Sequence, residues 1–144
     1  MELLIVLAVL TILVSLVIPQ FSRIRENQVL KSGVSDILSS LDKTRGQTLS
    51  SLNSSEYGMH FQYDQIIIFK GKVFSPGASD NESVAITTPA SITNITLNDV
   101  SDVSGDLYFN RLSGSPSKTG TITLATPNFS KIITISATGV ASTN

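Results

Sequence analysis

The clearest feature of the polar and apolar pattern is an apolar stretch at the start of the chain. Between residues 3 and 18 every side chain is apolar except Thr11 and Ser15, and no charge interrupts the run. Glu2 precedes the stretch and Pro19 closes it. A helix that is apolar all round is buried on every side, in a protein interior or in lipid.

The length of this stretch lies between two classes of apolar segment. A bilayer-spanning helix takes about 20 apolar residues, whereas 10–14 are typical of a core helix or of the apolar part of a signal peptide. The start is acidic rather than basic, Ser22-Arg23-Ile24 is a poor cleavage site, and no polar stripe is present, so the pattern favours membrane residence. The side chains predicted to face lipid are Leu3, Leu4, Ile5, Val6, Leu7, Val9, Leu10, Ile12, Leu13, Val14, Leu16, Val17 and Ile18.

Beyond Pro19 the apolar residues recur at helical spacing. This spacing predicts an amphipathic helix over about residues 21–52, in which Gly33 and Gly46 each cost about 1 kcal/mol relative to alanine. Pro19 removes a backbone donor and clashes with the preceding turn, so we expect one long helix that is kinked or locally melted there. The predicted apolar face comprises Ile24, Val29 or Leu30, Val34, Ile37, Leu38, Leu41, Leu49 and Leu52.

At Glu56 the period of the pattern changes from 3.6 to 2, which is typical of strands. Residues 57–61 and 65–69 are predicted to form a hairpin, followed by strand at 73–74. Turn clusters, among them residues 98–105, separate the remaining short segments, and this spacing is typical of an antiparallel sheet or sandwich. The further predicted strands are residues 84–87, 92–97, 107–109, 121–125 and 131–136, with a last short strand after Gly139.

Together these patterns predict an α+β fold in which a long N-terminal helix packs on a C-terminal antiparallel β head. We divide the chain into a hydrophobic transmembrane or filament-core helix at 1–19, its amphipathic continuation at 20–52, and a β-rich globular head at 53–144. The apolar face of the second segment is the expected cover for the sheet. The first segment then has nothing to pack against within the chain, so we expect it to project.

Composition removes most kinds of catalysis and metal binding from consideration. The chain has no cysteine and one histidine, His60, which lies in a strand pattern where a surface or satisfied side chain is expected. Zinc needs about three or four ligands, and no serine–histidine–acid set is evident, so we expect neither an enzyme nor a cofactor. Asp99, Asp102 and Asp106 form an acidic loop that we interpret as solvated turns, with calcium as the alternative.

The charge balance of the head argues against nucleic acid as a partner. From residue 53 onward there are seven acidic side chains and five basic ones, a net charge of −2. A surface that follows a phosphate backbone requires clustered lysine and arginine. The charge of the head therefore disfavours DNA as a ligand.

The order of these features resembles the type IV pilin superfamily, which includes type IV pilins and the pseudopilins of type II secretion. ELLIVLAVLTILVSLVIP (residues 2–19), an acid followed seventeen positions later by proline, is similar to the mature N-terminal segment of such proteins. YGMHFQYDQIIIFKGKVF (57–74) and KIITISATGVAS (131–142) are similar to blocks of GspH/FimT-type minor pseudopilins.

The resemblance implies a pathway and a set of partners. Members carry a basic leader that ends in glycine; a prepilin peptidase removes it and methylates the new terminus, and that site would precede Met1. The subunit would sit in the bacterial inner membrane as a single-pass protein with its head outside the cytoplasm. An inner-membrane assembly platform would then pass it into a filament of pilin or pseudopilin subunits.

The resemblance also implies roles for two residues. The acid that matches Glu2 would meet the amino terminus of a neighbouring subunit; the alternative is a solvated carboxylate at the membrane surface without a role. Pro19 would be a hinge that lets the helix straighten or melt on assembly, or simply a helix end.

Two functional hypotheses follow. The first is a structural subunit of a secretion pseudopilus or a type IV pilus, assembling through its N-terminal helix. The second is a membrane-tethered β domain that binds DNA during uptake, or a surface ligand, with the helix only as a tether.

Overall fold

A single helix occupies the first third of the chain in the computed structural model, which describes the backbone of residues 1–144 and the side chains of 1–15 and 20–144. Helix α1 runs over Glu2–Leu49, and a short 3-10 helix follows at Leu52–Ser54. The helix ends three residues earlier than predicted because Ser51 adopts a left-handed backbone with φ of 53°. The predictions for the side chains of residues 16–19, and the kink at Pro19, lie outside the described residues.

The rest of the described chain forms two antiparallel sheets, which confirms the predicted α+β class. The strands are β1 Tyr57–Phe61, β2 Gln65–Lys70, β3 Glu82–Ala85, β4 Ser91–Leu97, β5 Val100–Asp102, β6 Gly105–Tyr108, β7 Gly120–Ala125, β8 Ser130–Ile135 and β9 Ala141–Thr143. The first sheet has the strand order β3-β2-β1-β6 and the second has the order β5-β4-β7-β8-β9.

Two strand predictions were wrong, each for a local reason. The predicted strand at residues 73–74 is a loop, and Phe74 instead stacks on the outer side of the first sheet. Strand β5 lies inside the segment that was assigned to turns. Asn98 and Asp99 both have positive φ, 49° and 63°, and two such residues make the tight hairpin turn that pairs β5 with β4.

The core lies between the inner faces of the two sheets and one face of α1. Leu30, Val34, Ile37 and Leu41 enter it from the helix, as the spacing predicted. Burial of each such side chain contributes about 1.5–3 kcal/mol, so this face alone binds helix and sheets into one unit. Three apolar residues assigned to the same face are exposed instead, namely Ile24, Leu49 and Leu52.

Beyond Leu41 the buried face of the helix is continued by two threonines, and not by Leu49 and Leu52 as predicted. Thr44 and Thr48 are fully buried, and each hydroxyl donates to the carbonyl four residues earlier, at 2.7 and 3.0 Å. With the hydroxyls satisfied, their methyl groups can pack like those of valine. The backbone N–H of Tyr57 donates to Thr48 Oγ1 at 3.1 Å, which joins the helix end to the first strand.

Candidate functional site

The apolar segment of α1 is exposed along its described length. The exposed fraction of its large apolar side chains runs from 77% at Leu3 to 47% at Val14. Within the described residues it belongs to the one helix that is long and apolar enough to cross a membrane, and none of its most apolar window is buried by the head. Soluble monomers rarely present an apolar surface this continuous, and exposed apolar surfaces of this extent are typical of membrane or protein contacts.

The two hydroxyl side chains of this segment are internally satisfied. The hydroxyl of Thr11 donates to the carbonyls of Leu7 and Ala8, at 3.0 and 2.8 Å, and that of Ser15 donates to Ile12 at 2.9 Å. In a hydrocarbon environment each polar group needs such a partner within the protein. These residues therefore do not oppose insertion into lipid.

Glu2 stands at the first helical position, where the positive end of the helix dipole favours a carboxylate. Its side chain is exposed, and neither of the ion pairs formed by described residues, Lys43–Glu82 and Lys72–Glu56, includes it. Its pairing with another subunit stays a prediction.

The head is fixed to the helix just beyond the apolar segment. Glu26 is buried, with 7% of its surface exposed, and its carboxylate accepts hydrogen bonds from Asn128. The backbone N–H of Asn128 donates at 3.2 Å and its side-chain amide donates at 3.1 and 3.0 Å to the two carboxylate oxygens. Sequence reasoning did not single out Glu26 as a functional residue, because its partner lies 102 residues away.

A groove of about 420 Å³ opens beside the contact between Glu26 and Asn128, which we call the joint. Its lining combines two cations, three side-chain amides and apolar carbons. The residues that contribute these groups are Gln20, Arg23, Ile24, Asn27, Gln28, Lys31 and Phe129. The groove therefore begins where the exposed apolar segment ends.

His60 lies on the opposite side of the first sheet from the core. Its ring stacks on Phe74, with centroids 4.0 Å apart and planes 6° from parallel. Burial lowers the pKa of His60, and the carboxylate of Asp106 on the neighbouring strand opposes part of that shift. Its Nδ1 is buried without a hydrogen-bond partner among the described residues.

The three aspartates of the acidic loop are not grouped as metal ligands in the described part of the chain. Asp102 Oδ1 accepts the N–H of Val103, and Asp106 lies beside His60. No group of three or more histidine, cysteine, aspartate or glutamate side chains is placed to hold a metal ion within the described residues. The geometry thus brings Asp99, Asp102 and Asp106 into no ligand set.

Comparison of the sequence and fold with protein-family profiles, curated proteins and solved structures gave no match. What the structure defines is an architecture: a long N-terminal helix, apolar and exposed in its first part, packed by its second part on antiparallel sheets.

Proposed function

We propose that this chain is a structural subunit of a filament, a minor pseudopilin or pilin-like protein of a type II secretion pseudopilus or a type IV pilus. The observation that carries the proposal is the contrast along α1. Its residues from Leu30 to Leu41 are locked into the head, whereas those from Leu3 to Val14 are uncovered. The exposed apolar part of such a helix needs to be covered by lipid or by another protein.

Two environments could cover this apolar surface, one before assembly and one after it. The apolar length suits the hydrocarbon of a bilayer before assembly, with the head on the outer side of the bacterial inner membrane. In a filament, the same side chains would pack against the helices of other subunits. The resemblance to pilins supplies the order of events, including the prepilin peptidase and the assembly platform as partners.

In the filament, Glu2 would determine how neighbouring helices align. A carboxylate among apolar helices is costly unless it is paired. The amino terminus of a neighbouring subunit is a cation of suitable charge, and pairing would set the axial position of one helix against the next. In this proposal assembly is the whole activity, and the chain performs no catalysis.

The test is Glu2→Ala in the full-length protein, with Glu2→Gln to separate charge from side-chain size and Thr11→Ala as a control within the same segment. We expect all variants to stay in the carbonate-resistant membrane fraction. Incorporation into filaments should fall for both Glu2 variants and remain normal for Thr11→Ala. Normal incorporation of the Glu2→Ala variant would contradict the proposed pairing of Glu2 with a neighbouring amino terminus.

The competing hypothesis, a membrane-tethered binding domain, makes a different prediction for the same protein. Affinity capture of the detergent-solubilised chain should recover other pilin-like subunits if it is a filament component. A tethered receptor should recover its ligand and remain monomeric. The net charge of the head disfavours DNA as that ligand.

A further inference from the structure

Residues 20–31 of α1 carry uncompensated positive charge directly after the apolar segment. Arg23, Arg25 and Lys31 are exposed, and they take part in neither ion pair of the described side chains. The one acid in this stretch, Glu26, is buried and bonded to Asn128. Every exposed charge of this stretch is therefore positive.

Part of this charge lines the groove beside the joint. Gln20, Arg23, Asn27 and Lys31 follow one another at spacings of three and four residues, which aligns them along one side of the helix. Arginine and lysine carry only donors, and the amides add further N–H groups, so the groove is rich in donors suited to phosphate oxygens.

Apolar carbons border the same groove. Ile24 and Phe129 contribute to its lining. Phe21 precedes Ile24 by three residues in the helix, which places both on the same side. Phe21 and Ile24 are 68% and 63% exposed, although the head is only a few residues away. An aromatic and an aliphatic side chain next to cations, at the end of a membrane segment, is the arrangement found at the headgroup level of bilayers.

We infer that this groove is a headgroup site for an anionic phospholipid while the subunit resides in the membrane. Arg23 and Lys31 bind the phosphate, Gln20 and Asn27 donate to its remaining oxygens or to the glycerol, and the acyl chains continue along Ile24 and Phe21. The inference rests on the proposed function, because it requires the apolar segment to be in the bilayer. Binding of the headgroup would hold the head at a fixed height above the membrane until the subunit passes into the filament.

The experiment uses the full-length chain reconstituted in phosphatidylcholine vesicles that contain a small amount of nitroxide-labelled lipid. The fraction of motionally restricted label is measured for phosphatidylglycerol and for phosphatidylcholine. The test variant is Arg23→Gln with Lys31→Gln. The matched control is Lys70→Gln with Lys118→Gln, which removes the same charge from the head.

We expect the unmodified chain to prefer the anionic lipid about fivefold or more, since each cation at a membrane surface contributes about this factor. The preference should fall toward unity in the groove variant, weaken with added salt, and survive in the control. Equal restriction of both lipids by the unmodified chain, or an unchanged preference in the groove variant, would overturn the site.

Other outcomes distinguish a failure of the headgroup site from a failure of the proposed function. If the groove variant keeps its lipid preference but loses crosslinks to other subunits, the cations serve acidic side chains of a second copy, and the lipid site is wrong. If the unmodified chain does not insert into vesicles, the proposed function fails together with the site. Insertion without lipid preference rejects the headgroup site alone.

Discussion

Asn128 holds the buried carboxylate of Glu26 with both its backbone N–H and its side-chain amide, at distances between 3.0 and 3.2 Å. This contact joins the turn between β7 and β8 to the part of α1 that leaves the apolar segment. It therefore adds a polar contact between head and helix to the apolar packing of Leu30, Val34, Ile37 and Leu41.

Asn128→Ala is expected to lower the free energy of unfolding of the head by about 1–3 kcal/mol, because a buried carboxylate then lacks its side-chain donor. Urea unfolding of the full chain in detergent, followed by tyrosine fluorescence, measures this change. Asn94→Ala, at an exposed strand position, is the control and should change stability by less than about 0.5 kcal/mol. An equal decrease in the free energy of unfolding of both variants would show that the contact of Asn128 with Glu26 does not stabilise the head.

The two glycines of α1 should respond in opposite ways to alanine. Gly46 has nothing within 4 Å of an added Cβ, so Gly46→Ala should raise stability by about 0.5–1 kcal/mol. At Gly33 the added Cβ would lie 2.8 Å from Cδ2 of Leu124, a fully buried core side chain. Gly33→Ala should therefore give no gain or a loss of about 1–3 kcal/mol. A comparable gain at both positions would contradict the close approach of helix and sheet.

His60 should make the stability of the head depend on pH near neutrality. Burial lowers the pKa of His60 in the folded chain below its usual 6.5, so above that pH the residue is neutral in both states. As the pH falls below 6.5 the unfolded chain binds the proton first, and the free energy of unfolding decreases until the folded-state pKa is passed. His60→Gln should flatten this part of the profile below pH 6.5. Identical slopes in the two proteins would show that the imidazole is freely solvated.

The orientation of the chain in the membrane needs a direct measurement, because its own charges favour the reverse of the proposal. Arg23 and Arg25 follow the apolar segment, and by the positive-inside tendency that end would stay in the cytoplasm. We expect a protease added outside spheroplasts to digest the head, with a cytoplasmic protein as the intact control. Protection of the head would contradict assembly into an external filament.

The sequence predicted those parts of the fold that depend on local pattern. The hairpin of β1 and β2 and the helical face from Leu30 to Leu41 follow from periods of 2 and 3.6, and both were confirmed. Thr44 and Thr48 were missed because they are polar by type, although they continue the spacing of Ile37 and Leu41. That spacing was the available signal.

Contacts between distant segments could not be predicted from pattern. The position of Phe74 over His60, and the pairing of Glu26 with Asn128, depend on the tertiary arrangement of loops with no periodicity of their own. The joint and its groove were therefore absent from the predicted site. Glu2 and the apolar residues could be proposed from the sequence because their pattern is continuous along the chain.

In the proposed filament other subunits cover the exposed part of α1, and the proposed structural role depends on this contact. The direct measurement places a photo-crosslinking amino acid at Leu10, in cells that produce the chain from its own gene. Leu112, which is 97% exposed on the head, is the control position. We predict that Leu10 yields adducts with pilin-like subunits and that Leu112 does not. An uncrosslinked Leu10 in a chain recovered from the soluble fraction would contradict the proposal.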